Sequence, residues 1–122
     1  MAKYHNKKVT VNGMTFDSQK EYQRWCELRL LERAGAITNL QRQVPFEVIP
    51  PYSETFERYG KNGKRLKDGV RVIEKVCYYK ADFTYYENGK LVVEDTKGFK
   101  TEAYIMKRKL MLQRFGIRVK ET

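Results

Sequence analysis

Hydrophobic and polar positions are most regularly ordered between Tyr78 and Gly98, where YYKADFTYYENGKLVVEDTKG sets two β-rich runs on either side of Asn88-Gly89. Asn-Gly suits a two-residue type I′ turn, because both central residues must take positive φ. Such a turn fixes a register. With Glu87 paired to Lys90, Tyr86 faces Leu91, Thr84 faces Val93, Asp82 faces Asp95 and Lys80 faces Lys97. Side chains alternate along a strand, so Asp82, Asp95 and Lys97 share one face of this hairpin and Glu94 takes the other.

The same turn logic appears near the start of the chain. Val9–Val11, Asn12-Gly13 and Met14–Phe16 predict a short hairpin that leads into a helix at Asp17-Ser18. Ser18 and Glu21 have capping-box spacing, and the helix runs to about Ala34, with Gly35 as the residue that ends it. Trp25, Leu28, Leu30 and Leu31 give this helix an apolar surface broad enough to be buried on more than one side. Glu21 lies near Trp25 and Leu28 on the helical wheel, so its carboxylate either caps the helix or reaches inward as a third acid.

Ile37–Ile49 predicts a strand entered through a turn at Thr38-Asn39, with Leu40, Arg42, Val44 and Phe46 alternating with Gln41, Gln43, Pro45 and Glu47. Pro45 places this strand at a sheet edge or a bulge, and Pro50-Pro51 ends it. A glycine-bearing insertion fills residues 52–69, and Val70–Cys77 reads as a strand feeding the Tyr78–Gly98 hairpin. Thr101 is the expected N-cap of a second helix that stops at Gly116, and Ile117–Val119 offers a last short strand. The order ββ-α-βββ-α-β predicts an α/β or α+β fold with a central mixed sheet flanked by helices.

Composition narrows the functional classes. A chain of 122 residues suits one domain, 1–122. No apolar run reaches the ~18 residues of a membrane span and no signal-peptide segment opens the chain, so a cytoplasmic protein is expected. Cys26 and Cys77 form no C-x-x-C pair and are expected as buried free thiols. His5 alone makes no metal site, and Met1–Lys8 reads as a polar, basic tail. The net charge of +10 points to a polyanionic partner, a balance shared by ribosomal and membrane-surface proteins.

Two segments concentrate that charge. In the insertion, Lys61, Lys64, Arg65 and Lys67 lie beside Tyr52, Phe56 and Tyr59, which reads as a mobile hairpin or arm gripping phosphates, or as a solvated surface excursion. The second helix carries Lys107, Arg108, Lys109 and Arg114, a nucleic-acid contact or simply a solvated face.

Asp82 and Asp95 opposed across a ladder repel each other, and something positive belongs between them. A hard divalent cation fits, because Mg²⁺ takes carboxylate oxygens and keeps waters for chemistry. Phosphodiester cleavage needs those acids, a polarised water and often a nearby cation such as Lys97. The simpler reading is a surface hairpin with cross-strand ion pairs, each contributing well under about 1 kcal/mol when exposed.

Asp82, then Asp95-Thr96-Lys97 after a turn, with Glu21 on a preceding helix and a basic helix following, resembles the PD-(D/E)XK nuclease superfamily, which includes restriction endonucleases and Holliday-junction resolvases. Small phage-encoded members carry a similar helix, matched here by Ser18, Lys20, Glu21, Leu28, Leu31, Glu32, Ala34, Gly35, Ile37, Leu40 and Gln43. The resemblance spans about Phe16 to Val119. It implies a restriction-endonuclease-like core in which Glu21, Asp82 and Asp95 hold Mg²⁺ or Mn²⁺, the Thr96 carbonyl is a further ligand, Lys97 is the catalytic lysine and Gln43 enters the site. Ala81 stands where the motif has proline, and Asp95 where glutamate is commoner.

The resemblance further implies a phage-encoded DNA endonuclease of the bacterial host cytoplasm, cutting branched DNA in recombination or replication, with a homodimer supplying paired sites. Two alternatives stay open. One is a non-catalytic nucleic-acid-binding module using the 52–67 arm and the Lys107–Arg114 helix; the other is a single-strand or RNA-directed nuclease.

Overall fold

Two Asn-Gly turns of type I′ shape the chain in the computed structural model, which describes residues 7–122; His5 and the rest of the predicted tail up to Asn6 lie outside the described residues. Asn12 and Gly13 take φ of 51° and 79°, Asn88 and Gly89 52° and 75°, the left-handed pair that a type I′ turn requires. The first turn joins β1 (Val9–Val11) to β2 (Met14–Phe16), and α1 (Gln19–Arg33) follows. Ser18 Oγ accepts the Glu21 N–H at 3.1 Å, and Gly35 ends the helix at φ 80°. α1 buries a narrower stripe than expected. Leu28 is fully buried, but Leu30 and Leu31 are exposed, since two or three residues further on the side chain has turned roughly 200–300° about the axis.

The central sheet is mixed and four-stranded, in the order β3 (Thr38–Ile49), β6 (Cys77–Glu87), β7 (Lys90–Asp95) and β8 (Lys120–Glu121). β3, with Pro45 in it, is an edge strand as expected. The β6–β7 register runs from Glu87↔Lys90 to Phe83↔Glu94 as predicted. The pairing stops there: neither the predicted Asp82–Asp95 pair nor the Lys80–Lys97 pair forms, because β6 becomes irregular at Asp82 and β7 ends at Asp95. The last strand is not Ile117–Val119. It is Lys120–Glu121, parallel to β7, while Val119 turns into the core. α2 (Glu102–Phe115) is capped by Thr101, whose Oγ1 accepts the Tyr104 N–H, and ends at left-handed Gly116. The fold is α+β.

Residues 52–74 form an arm of their own, a two-stranded ribbon of β4 (Tyr52–Tyr59) and β5 (Arg65–Glu74). Val70–Glu74 therefore belongs to the arm, and Lys75-Val76 breaks the chain before β6, which corrects the predicted Val70–Cys77 strand. On one face Phe56 lies over Gly69, where any side chain would strike the ring, and Arg71 covers the ring at 4.7 Å. The other face leaves Val70 and Val72 exposed. Both cysteines are free as expected, but Cys26 is exposed and Cys77 half-buried.

The helices cover opposite faces of the sheet, since neighbouring Val92 and Val93 of β7 join different clusters. α1 packs Leu28 with Ile37, Phe83 and Tyr85; α2 packs Tyr104 and Met111 with Tyr79, Ala81 and Val93. In β6, Ala81 points to the α2 side and Phe83 to the α1 side, although regular alternation would put them on one face. β3 reverses at the same level: the Arg42 guanidinium lies over Phe16 on the α1 side, while Phe46 stacks near Tyr79 on the α2 side. Between them Gln43 takes φ 53°. The two strands thus exchange faces together at Gln43 and Asp82. Among the described residues no helix is long and apolar enough to cross a membrane.

α1 is tied to β7 by a buried ion pair. Glu94, fully buried, accepts from Arg24 Nε and, at 3.0 Å, from Arg24 Nη2, and its Oε2 accepts the Tyr85 hydroxyl at 2.5 Å. Arg24→Ala leaves that carboxylate buried without its cation and is expected to cost about 3–5 kcal/mol in chemical denaturation, with Arg24→Lys, which keeps charge but not the two-pronged geometry, falling in between.

Candidate active site

Glu21 enters from the first turn of α1, where it both ties down the helix start and reaches inward to Gln43 beside Asp82. Its Oε1 accepts the Asp17 N–H at 3.0 Å, tightening the helix start, and its Oε2 accepts from Gln43 Nε2 at 3.0 Å. Asp82, at the face reversal of β6, has Oδ2 held by the Thr96 N–H at 2.9 Å and the Thr96 hydroxyl at 3.2 Å, and Oδ1 at 3.4 Å from the same Gln43 amide. Asp95, at the end of β7, is fully buried and accepts the Tyr79 hydroxyl on Oδ2. Its Oδ1 has no hydrogen-bond partner and lies 3.4 Å from Lys97 Nζ.

Glu21, Gln43, Asp82, Asp95, Thr96 and Lys97 are therefore brought together, and Glu94 is kept away on the opposite face. Thr96 acts here through its amide and hydroxyl. Gln43, expected among the nucleic-acid contacts, has its amide inside the acid cluster. Tyr79 was missed by the sequence reading; one tyrosine among nine carries no signal until the fold sets it against Asp95.

Three carboxylates face few cations. Burial, then the neighbouring Asp82 carboxyl, pushes Asp95 up to about 8, against the downward pull of Tyr79 and Lys97. Burial and then Asp82 also raise Glu21, with Arg42 Nη2 4.0 Å from its Oε2 giving a weak counter-pull. Burial and the Asp95 hydrogen bond raise Tyr79, so its proton stays on the phenol. Among the described residues no three acidic, His or Cys side chains close around one point as a preformed metal cage. The Gln43 amide lies between Glu21 and Asp82, while Asp82 also neighbours Asp95. The orphaned, buried Asp95 Oδ1 and the all-oxygen donor set suit a hard divalent ion such as Mg²⁺ or Mn²⁺.

Two grooves flank the segment Thr96–Gly98. The larger, about 660 Å³, includes Lys80, Lys97 and Lys107 in its walls; the smaller, about 370 Å³, includes Lys7 and Lys20. Of the basic residues expected to meet nucleic acid, Lys107 lies in the larger groove. Arg108 is instead turned to Glu121 at 3.0 Å, and that carboxyl is drawn down to about 2 chiefly by the Tyr104 hydroxyl. Arg65 pairs with Asp68 at 2.8 Å, while Lys61, Lys64 and Lys67 are exposed on the arm, outside both grooves. Lys7, Lys20 and Lys80 were not expected among the nucleic-acid contacts: Lys20 entered only through the family resemblance and Lys80 only through the hairpin register, and isolated lysines in a strongly basic chain have no distinguishing pattern.

A family model described as a protein of unknown function (DUF1064) matches residues 1–121. The chain belongs to the DUF1064 family. No curated protein and no solved structure matches it. For this DUF1064 protein the chemistry must therefore be argued from the site itself.

One consequence is a pH dependence. Asp95 has a folded-state value of about 8 against an ordinary 3.8, so the folded protein holds a proton that the unfolded chain releases, and stability is lost as pH rises from about 4 to about 8. Thermal melts in EDTA are expected to show that fall, Asp95→Asn to remove much of it, and Mg²⁺ to raise the melting temperature more at the alkaline end. An equal slope in Asp95→Asn would assign the dependence to other groups.

Proposed function

We propose that this DUF1064 protein is a Mg²⁺-dependent endonuclease, phage-encoded, that hydrolyses phosphodiester bonds of branched DNA in recombination or replication, with Mn²⁺ able to replace Mg²⁺. One observation carries the reading: Glu21, Asp82 and Asp95, far apart in sequence, form a row of neighbouring carboxyls, Glu21 and Asp82 sharing the Gln43 amide and Asp82 adjoining Asp95, that ends at a buried Asp95 oxygen met only by the Lys97 ammonium at 3.4 Å. Buried polar atoms normally have a hydrogen-bond partner, and Asp95 Oδ1 has none.

The protein's own part is positioning. Thr96 fixes the Asp82 carboxylate with two hydrogen bonds, and Tyr79 fixes that of Asp95. Gln43 holds Glu21 Oε2 and Asp82 Oδ1 toward a common amide. A divalent ion bound by these oxygens would polarise a phosphate oxygen and lower the pKa of an attacking water. Lys97, its side chain about one-third exposed and its Nζ 3.4 Å from Asp95, offers a cation to the phosphate charge that grows in the transition state.

A second reading, a nucleic-acid-binding module without catalysis, is favoured by the lack of a closed metal cage among the described residues. Incubating four-way junction, duplex and single-stranded DNA with Mg²⁺ or EDTA separates the two. We expect cleavage that EDTA abolishes, lost in Asp95→Asn and reduced about 10²–10³-fold in Lys97→Ala, with binding retained in both. A wild-type protein that binds all three DNAs and cuts none in Mg²⁺ or Mn²⁺ would leave only the binding module.

A further inference from the structure

The two grooves end on either side of one short segment, Thr96–Gly98, that carries Lys97 above Asp95. Thr96 and Gly98 line the smaller groove and Lys97 the larger. Their walls supply Lys7 and Lys20 on one side and Lys80 and Lys107 on the other, and none of these four is in an ion pair among the described residues. Each groove also includes a helix N-cap, Ser18 of α1 in the smaller and Thr101 of α2 in the larger, so the positive ends of two helices add to the lysines. A chain of phosphates laid along this line would cross the acid cluster.

The larger groove holds something a phosphate track alone does not need. Tyr78 lines it with 48% of its surface exposed, two residues along β6 from Lys80 and so directed to the same side of the strand. A free aromatic face beside cations is the arrangement that stacks an unpaired base while lysines hold its phosphates. Bases within a duplex are already stacked on their neighbours and have no face to offer it. The basic arm, the feature best placed to grip an outer backbone, takes no part in either groove.

We infer that the grooves bind a single, unpaired strand of nucleic acid that runs from Tyr78 and Lys80, over Lys97, to Lys20 and Lys7. This rests on reading the acid cluster as a phosphodiester-cleaving site, and it specifies the substrate: a fork or flap with an unpaired strand at the cutting point, rather than a fully paired four-way junction.

Binding by fluorescence anisotropy in EDTA, with a flapped duplex, a four-way junction and a blunt duplex, tests the path. The flap is expected to bind about tenfold more tightly than either paired DNA. Tyr78→Ala should remove about that factor, the loss of one stacked base, and Tyr78→Phe should keep it. Lys80→Gln with Lys107→Gln should flatten the salt dependence on the flap by about 1.4, since each single-strand phosphate contact contributes about 0.7. Equal affinity for flap and four-way junction, or a flap preference that survives Tyr78→Ala, would overturn the path. The two claims separate cleanly in a parallel Mg²⁺ cleavage assay. A Tyr78-dependent flap preference without cleavage upholds the path and removes the nuclease; cleavage without that preference does the opposite.

Discussion

β7 buries two consecutive carboxylates, Glu94 and Asp95, and strand alternation sends them to opposite faces of the sheet. A buried carboxylate is costly unless its oxygens are met, and the two faces answer differently. On the α1 face Glu94 is closed by Arg24 and Tyr85, with the Thr122 hydroxyl 3.4 Å away. On the α2 face Asp95 has the Tyr79 hydroxyl on one oxygen, and the other has no hydrogen bond and only the part-exposed Lys97 ammonium at 3.4 Å. The closed side also organises the open one, because Arg24 sits one turn after Glu21. Fixing α1 to β7 through Arg24 brings Glu21 to the level of Asp82.

Much of this was legible in the sequence because it depended on local rules. Asn88-Gly89 set the hairpin register, which sorted Asp95 from Glu94, and Ser18, Thr101, Gly35 and Gly116 marked the helix ends. What stayed hidden depended on tertiary context. The face reversal at Gln43 and Asp82 has no glycine to announce it. Val70–Glu74 alternates as a sheet strand would, and only pairing with β4 rather than with the central sheet reveals the arm. β8 pairs over just two residues with β7, too short for periodicity, while Ile117 and Val119, which looked like strand, serve the core.

The positive charge is divided by residue type. Arginines are largely committed to structure: Arg24 to Glu94, Arg65 to Asp68, Arg108 to Glu121, Arg42 and Arg71 over aromatic rings. Their planar forks suit fixed pairs and stacking, whereas lysine is a mobile point charge that loses little by waiting in solvent. Among the described residues the charge outside ion pairs is therefore mostly lysine, part of it in the two grooves and on the arm.

Gln43 shows what the site asks of its backbone. The other non-glycine residues at positive φ among those described are asparagines, Asn12, Asn39 and Asn88, the side chain that tolerates this conformation best. Asparagine would relieve position 43 as well, and it carries the same amide. It is one methylene shorter, and the amide would fall short of spanning Glu21 and Asp82 together. At this single position the chain gives up conformational ease in exchange for reach.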